Sequence, residues 1–215
     1  MTPLSAAEAR AAMQPELFGA SAQLATLGFS LSRVLATLGF SHPAAMSWAK
    51  RRVEAPFEDD VLLVALFATS IDVDADRAMA ILGDLGERLL EAGLLFIHRR
   101  RARSRVLLQP TSRGIVVCDR NDRVRDAVAV PDDSSFHLLE CLPERTGTWL
   151  DIGTGNGFLP IARGREPAKG TDIHSRALAF AELGAHLSGR SDDHFEVADG
   201  CNGEGDFDPV SYTHL

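Results

Sequence analysis

Three acids and three glycines carry the chemistry that this sequence can be read for. Leu150-Asp151-Ile152-Gly153-Thr154-Gly155-Asn156-Gly157 joins a short apolar run to three alternating glycines, and a second apolar run begins at Phe158. That order predicts a strand, a tight turn and the start of a helix. Glycine suits such a turn because it accepts positive φ and lets a ligand approach the backbone closely. Nineteen residues after Gly153, Asp172 closes a second short strand, where a carboxylate can take the two hydroxyls of a ribose. His194-Phe195-Glu196-Val197-Ala198-Asp199-Gly200 predicts a third strand ending in an acid, able to accept from the exocyclic amine of an adenine. Ligands of open α/β sheets sit beyond the carboxyl ends of the strands, so Asp151, Asp172 and Asp199 would face one site. Each acid alone reads as well as a solvated turn or a helix cap; their joint spacing with the glycines favours the site.

The ligand follows from charge and spacing. A dinucleotide fingerprint spaces its glycines G-x-G-x-x-G and seats a pyrophosphate on helix N–H groups. Here the third glycine, Gly157, comes one place early, and Phe158 fills the expected position. Asp151, two residues before the first glycine, would repel a pyrophosphate. It suits a ligand with no phosphate and a cationic amino-acid end. S-adenosylmethionine, with its sulfonium, ammonium, ribose and adenine, is such a ligand. The expected cofactor is therefore S-adenosylmethionine, and an NAD(P)-dependent oxidoreductase is the weaker alternative.

Leu150 through Gly157, together with Gly170-Thr171-Asp172-Ile173-His174-Ser175-Arg176-Ala177-Leu178, resembles the first two motifs of class I S-adenosylmethionine-dependent methyltransferases; residues 195–200 resemble the third. The wording is closest to the methyltransferase small-domain group, which includes the release-factor glutamine N5-methyltransferases and the ribosomal RNA guanine N2-methyltransferases. The resemblance covers about residues 130–208. It implies a Rossmann-like α/β domain that methylates a nitrogen of RNA or of a protein glutamine. It also implies that Gly153, Gly155 and Gly157 line the methionine end, which Asp151 helps to hold. Asp172 would take the ribose with Ile173 beside the adenine, and Asp199 would read the adenine edge. Asn156 and Gly200 complete the candidate cofactor-binding set.

The family's sheet runs in the order 3-2-1-4-5-7-6, and its fourth strand leads into an Asn-Pro-Pro-aromatic motif that orients the acceptor nitrogen. This chain instead reads Pro209-Val210-Ser211-Tyr212-Thr213-His214-Leu215, which resembles translated sequencing-adapter read-through. Residues 209–215 are therefore expected to be a non-native tail. No residue is assigned as catalytic, and the fragment is expected to be inactive. With only the first three strands, the one at 148–152 would be a bare sheet edge, and cofactor binding would be poor or absent.

The elements that must position these residues belong to a chain of 215 residues, 45% hydrophobic and 24% charged, which suits two soluble domains. Residues 1–128 and 129–208 are the expected division. No run of 18 apolar residues occurs, so no membrane span is expected. Residues 1–10 lack the basic-then-apolar order of a signal peptide. Cys118, Cys141 and Cys201 are widely spaced with no C-x-x-C, which disfavours disulfides and zinc and fits a cytoplasmic protein.

In the first part Ser5 is placed to cap a helix reaching Met13. Ala25-Thr26-Leu27-Gly28-Phe29-Ser30 recurs as Ala36-Thr37-Leu38-Gly39-Phe40-Ser41, which predicts two short helices each ending near its glycine. Residues 59–69 predict an apolar helix, 74–82 and 85–92 amphipathic ones, and 94–97, 105–108 and 114–118 β segments. Helices followed by a hairpin resemble a winged-helix layout. Between the two parts, Pro131-Asp132-Asp133 starts a helix. By the family resemblance residues 134–136 would lid the cofactor, although core packing is the better role for Phe136.

The hairpin region is basic. Between His98 and Arg125 nine arginines face two aspartates, a net +7 in a chain of net −8. Arg99, Arg100, Arg101, Arg103 and Arg105 are the candidate nucleic-acid-binding residues, with RNA as the expected partner. A solvated rim balanced by nearby acidic helices explains the run equally well. A non-enzymatic nucleic-acid-binding regulator with a degenerate cofactor domain is thus a further alternative to a methyltransferase.

Overall fold

Four of the described helices begin at a residue whose side chain accepts a first-turn N–H. The computed structural model describes residues 2–46, 58–120, 126–143, 147–164, 166–200 and 210–212. Helix α1 (Ala6–Ala11) starts at Ser5, whose hydroxyl accepts the Glu8 N–H while the Glu8 carboxylate accepts the Ser5 N–H. The twin segments end α2 (Ala20–Thr26) and α3 (Leu31–Leu38) in the same way. Gly28 and Gly39 take φ of +92° and +75°, and the Phe29 and Phe40 N–H groups donate to the Leu24 and Leu35 carbonyls at 2.8 and 2.9 Å.

Next come α4 (Asp59–Ala68), β1 (Val73–Asp74), α5 (Ala75–Leu82), α6 (Asp84–Glu91), β2 (Leu95–His98) and β3 (Arg101–Ser104). Strand β3 lies between β1 and β2 and antiparallel to both, with Ala102 opposite Val73 and Arg101 opposite His98. Neither β1 nor β3 was expected from the sequence. In β3 only Ala102 and Ser104 are buried, so the apolar alternation that marks a strand is nearly invisible among its arginines.

At Arg105 the chain leaves this sheet for a hairpin of β4 (Val106–Pro110) and β5 (Ile115–Asp119), with Val106 opposite Asp119. Every residue of the two strands is buried. Val106, Leu108, Ile115 and Val117 face the cluster built on the N-terminal helices, whereas Leu107, Val116 and Cys118 face a second cluster that includes Phe136, Trp149 and Phe158. The period-2 alternation thus separates two apolar compartments rather than core from water.

The remaining elements are α7 (Asp133–Cys141), β6 (Trp149–Ile152), α8 (Phe158–Arg163), β7 (Ala168–Asp172), α9 (Ser175–Leu187), β8 (His194–Val197) and β9 (Val210–Tyr212). The four strands form one parallel sheet in the order β8-β7-β6-β9. This corrects the expectation of three strands with a bare edge: Leu150, Asp151 and Ile152 pair with Val210, Ser211 and Tyr212. An apolar strand with an open ladder recruits the next extended segment of strand-forming residues. The apolar cluster containing Leu4 and Val34 also contains Phe180 and Leu187, so residues on both sides of position 128 share one core. Among the described residues no helix is long and apolar enough to cross a membrane.

The capping box makes a pH prediction. The Ser5 N–H and hydroxyl, then the Arg105 guanidinium at 3.0 Å, hold the Glu8 carboxyl at about 2, below its ordinary 4.5. A carboxyl lowered on folding stabilises fully above its unfolded value and loses that contribution as pH falls through the folded one. Glu8→Gln is expected to melt below wild type at pH 6, and the gap should close as pH drops from about 4.5 to about 2. Thermal melts of both proteins across that range check it; a gap independent of pH would contradict it.

Candidate cofactor site

The glycine loop is folded onto the end of β7. Gly153, Gly155 and Gly157 all have positive φ, at +74°, +55° and +73°. The Gly153 and Thr154 N–H groups both donate to the Thr171 carbonyl, at 2.8 and 2.9 Å. Asp172 then gathers the neighbouring segments. Its carboxylate accepts the Gly155 N–H at 2.9 Å and the His174 N–H at 2.8 Å, one on each oxygen. Its carbonyl accepts the Ala198 N–H at 3.1 Å, and the Thr171 hydroxyl donates to the Gly200 carbonyl at 2.9 Å. All three strand ends named from the sequence therefore meet at residues 171–172. A carboxylate offers about four acceptor positions, so Asp172 keeps capacity for ligand hydroxyls.

A cavity of about 280 Å³ opens beside this junction. Of the candidate residues, Asp151, Gly153, Gly155, Asn156 and Asp172 line it. The facing wall is the extended segment 127–132 with Ser135, and Asp132 caps α7 there. Burial pushes the Asp132 carboxyl up, but hydrogen bonds from Ser134 and Ser135 outweigh that and hold it below the usual carboxylate range. The walls thus carry three carboxylic acids, Asp132, Asp151 and Asp172, and no lysine or arginine among the described residues. A second cavity of about 440 Å³ shares Ala127, Val128, His174 and Ala177 with the first and is lined by Ile173.

Other candidates have different surroundings. Gly157 packs on α9, and the Asn156 amide ties the loop to the facing wall by donating to the Ala129 carbonyl at 3.0 Å and to Cys118 Sγ at 3.3 Å. Ile173 is 61% exposed. Asp199 is exposed beyond β8, and neither it nor Gly200 lines the first cavity. Phe136 is buried and meets the Phe158 ring edge-on at 4.7 Å, so it packs the core, whereas Ser135 faces the cavity. The 127–132 wall and Thr154 escaped the sequence reading. Their signal was slight: an Ala-Val-Ala-Val-Pro stretch with no periodicity of its own.

The arginines are mostly paired. Arg103 and Arg120 both bind Asp72, Arg105 binds Glu8, and Arg101 donates to the Asp72 carbonyl. Burial pushes the Asp72 carboxyl up, but the two guanidinium groups hold it below its ordinary value. Arg100 meets Asp76 at 2.7 Å in a pair exposed on both sides. Arg99 has no ion-pair partner among the described residues, and Arg123 and Arg125 lie outside them.

No protein-family model matches the chain, and no curated protein is significantly similar to it. The loop geometry can be tested directly. A Cβ on Gly155 would meet nothing within 4 Å, whereas one on Gly157 would lie 3.0 Å from Ala181 Cβ and 3.3 Å from its Cα. Left-handed backbone costs an alanine roughly 1–2 kcal/mol at either position, and overpacking adds roughly 1–3 kcal/mol at Gly157 alone. Urea unfolding should find Gly157→Ala the more destabilised of the two; equal losses would mean that the approach to α9 is not tight.

Proposed function

We propose that the chain carries the cofactor-binding unit of an S-adenosylmethionine-dependent methyltransferase for a nitrogen of RNA or of a protein glutamine. In this reading the β6–β9 sheet with α8 and α9 is a Rossmann-like cofactor unit. The observation that carries it is the cavity at the carboxyl ends of β6 and β7, lined by Asp132, Asp151 and Asp172 without a lysine or arginine. A pyrophosphate there would meet acids at close range, whereas a cationic amino-acid end with a ribose would find acceptors for each of its donors. The buried Thr154 hydroxyl, without a hydrogen-bond partner at the cavity wall, also suits a polar ligand. When bound, the cofactor would supply an electrophilic methyl group on its sulfonium. The residues described here would hold and orient it. With β9 alongside β6, the bare edge that argued for poor binding is gone.

The order α4-β1-α5-α6-β2-β3 with β3 central supports a winged-helix reading of this part. The exposed residues of α6 include Asp84, Glu87 and Glu91, which would repel phosphates, so RNA contact is assigned to the turn between β2 and β3. Arg99 and Arg100 form that turn, both at positive φ.

Calorimetry with S-adenosylhomocysteine on the 215-residue chain is expected to give saturable binding, weakened about tenfold or more (~1.4 kcal/mol) by Asp172→Ala. Binding of NAD instead would overturn the cofactor assignment. For RNA, Arg99→Ser with Arg100→Ser is expected to lower the slope of log affinity against log salt by roughly 1–2. Arg103→Ser should act on stability instead, since its partner is Asp72. An unchanged slope in the double variant would remove the turn as an RNA contact.

A further inference from the structure

Arg176 stands four residues after Asp172, on the first turn of α9, yet its guanidinium is engaged by the N-terminal layer. Nε donates to the Leu4 carbonyl at 2.8 Å. Nη1 donates to Asp119 Oδ2 and to the Asp126 carbonyl, each at 2.7 Å, and Nη2 donates to Asp119 Oδ1 at 2.6 Å. The plane also lies over the Phe180 ring, 4.8 Å from its centroid. The fork therefore joins the segment before α1, the end of β5 and the start of the 126–132 segment at one point. Only the planar, fixed donor geometry of arginine can do this; a lysine ammonium is a single point of charge.

Asp119 is the other half of the device. Its carboxylate is 3% exposed, and besides Arg176 it accepts the Val128 N–H at 2.7 Å. Its own N–H donates to the Val128 carbonyl at 2.9 Å. Residue 128 is thus held to residue 119 by both of its backbone groups. One residue further on, the Ala129 carbonyl takes the Asn156 amide of the glycine loop. The segment so fixed contributes Ala127 to Asp132 to the cavity wall.

We propose that Arg176 and Asp119 are a positioning pair that sets the wall of the cofactor cavity, and that ligand affinity therefore depends on residues of the N-terminal layer. The proposal rests on the cofactor reading above for the identity of the ligand, but not for the effect on the wall. Although Arg176 also lines the second cavity beside Ile173, the role of the pair does not depend on contact with a ligand. The pair acts through the backbone of residues 126–128, whose displacement would widen the gap between Asp132 and the Gly155–Asp172 junction.

The test uses the full chain and three proteins: wild type, Arg176→Lys, and the double variant Asp119→Leu/Arg176→Met. Replacing a buried ion pair by apolar side chains of similar size often leaves stability intact, whereas breaking one partner does not. Arg176→Lys keeps the charge but loses the fork. Amide exchange without ligand is expected to rise about tenfold or more for Val128 and its neighbours in both variants, and to stay unchanged in β6 and β7. Affinity for S-adenosylhomocysteine is expected to fall about tenfold in both, while the melting temperature of the double variant returns toward wild type. Unchanged exchange at 126–132 in Arg176→Lys, or wild-type affinity in a stable double variant, would overturn the positioning role. If wild type binds no S-adenosylhomocysteine, the cofactor reading fails, and the exchange measurement still decides the fate of the pair.

Discussion

Helix α9 meets apolar surface on nearly every side, and the arrangement of both layers follows from that burial. Leu178, Ala181 and Ala185 cluster with Phe195 of β8, whereas Ala179, Phe180, Leu183 and Leu187 join the cluster of the N-terminal helices and the β4–β5 hairpin. Gly184 permits the closest approach: a Cβ there would stand 3.1 Å from the Ile115 carbonyl oxygen and 2.9 Å from Ile161 Cδ1. A helix buried this fully has to satisfy its polar side chains at fixed points. Glu182 pairs with Arg10 at 2.7 Å, the His186 ring meets the Gln14 carbonyl at 2.8 Å, and Arg176 meets Asp119. All three partners precede residue 128. The parallel sheet thus receives its helix already bonded to the N-terminal layer.

That helix also sets the glycine loop. Gly157, the last of the three glycines, rests on Ala181, and Asp172 stands three residues before the helix begins. Because the Asp172 carboxylate takes the Gly155 N–H, the loop, the acid and the helix form one hydrogen-bonded piece before any ligand arrives. Preorganisation of this kind removes an ordering cost from binding. It also explains why the glycines have unequal roles: Gly155 shapes the backbone at the cavity, while Gly157 makes room for a helix.

The parts of this molecule legible in the sequence are those in which local chemistry and final packing agree. Ser5, Gly28, Gly39 and Asp132 cap or end helices as read, because a cap is satisfied within three or four residues. The β4–β5 hairpin was legible as apolar strands, but not as a partition, since a run buried on both faces does not say what lies on either side. Strand β3 was hidden because its exposed positions are arginines, and β9 because three residues carry too little pattern. The convergence of the strand ends on residues 171–172 could be anticipated from spacing. The 127–132 wall could not, as it is held by long-range bonds to Asp119, Asn156 and Arg176.

Charge is where sequence and structure part most clearly. A run of nine arginines looks like a single positive field, yet position decides what each one does. Asp72 alone serves Arg103 and Arg120, and Glu8 serves Arg105, so much of this charge is offset within contact distance and reaches less far than the count of arginines implies. Arg99 and Arg100 form the two-residue turn after β2, where both adopt left-handed backbone that glycine or asparagine would accept at lower cost. At the opposite extreme, Asp132, Asp151 and Asp172 are brought together from three separate stretches of chain around one cavity, a grouping that no net-charge count would reveal. The wall's composition, rather than the balance of the whole chain, therefore sets the field inside the cavity, which favours cations and hydrogen-bond donors over phosphates.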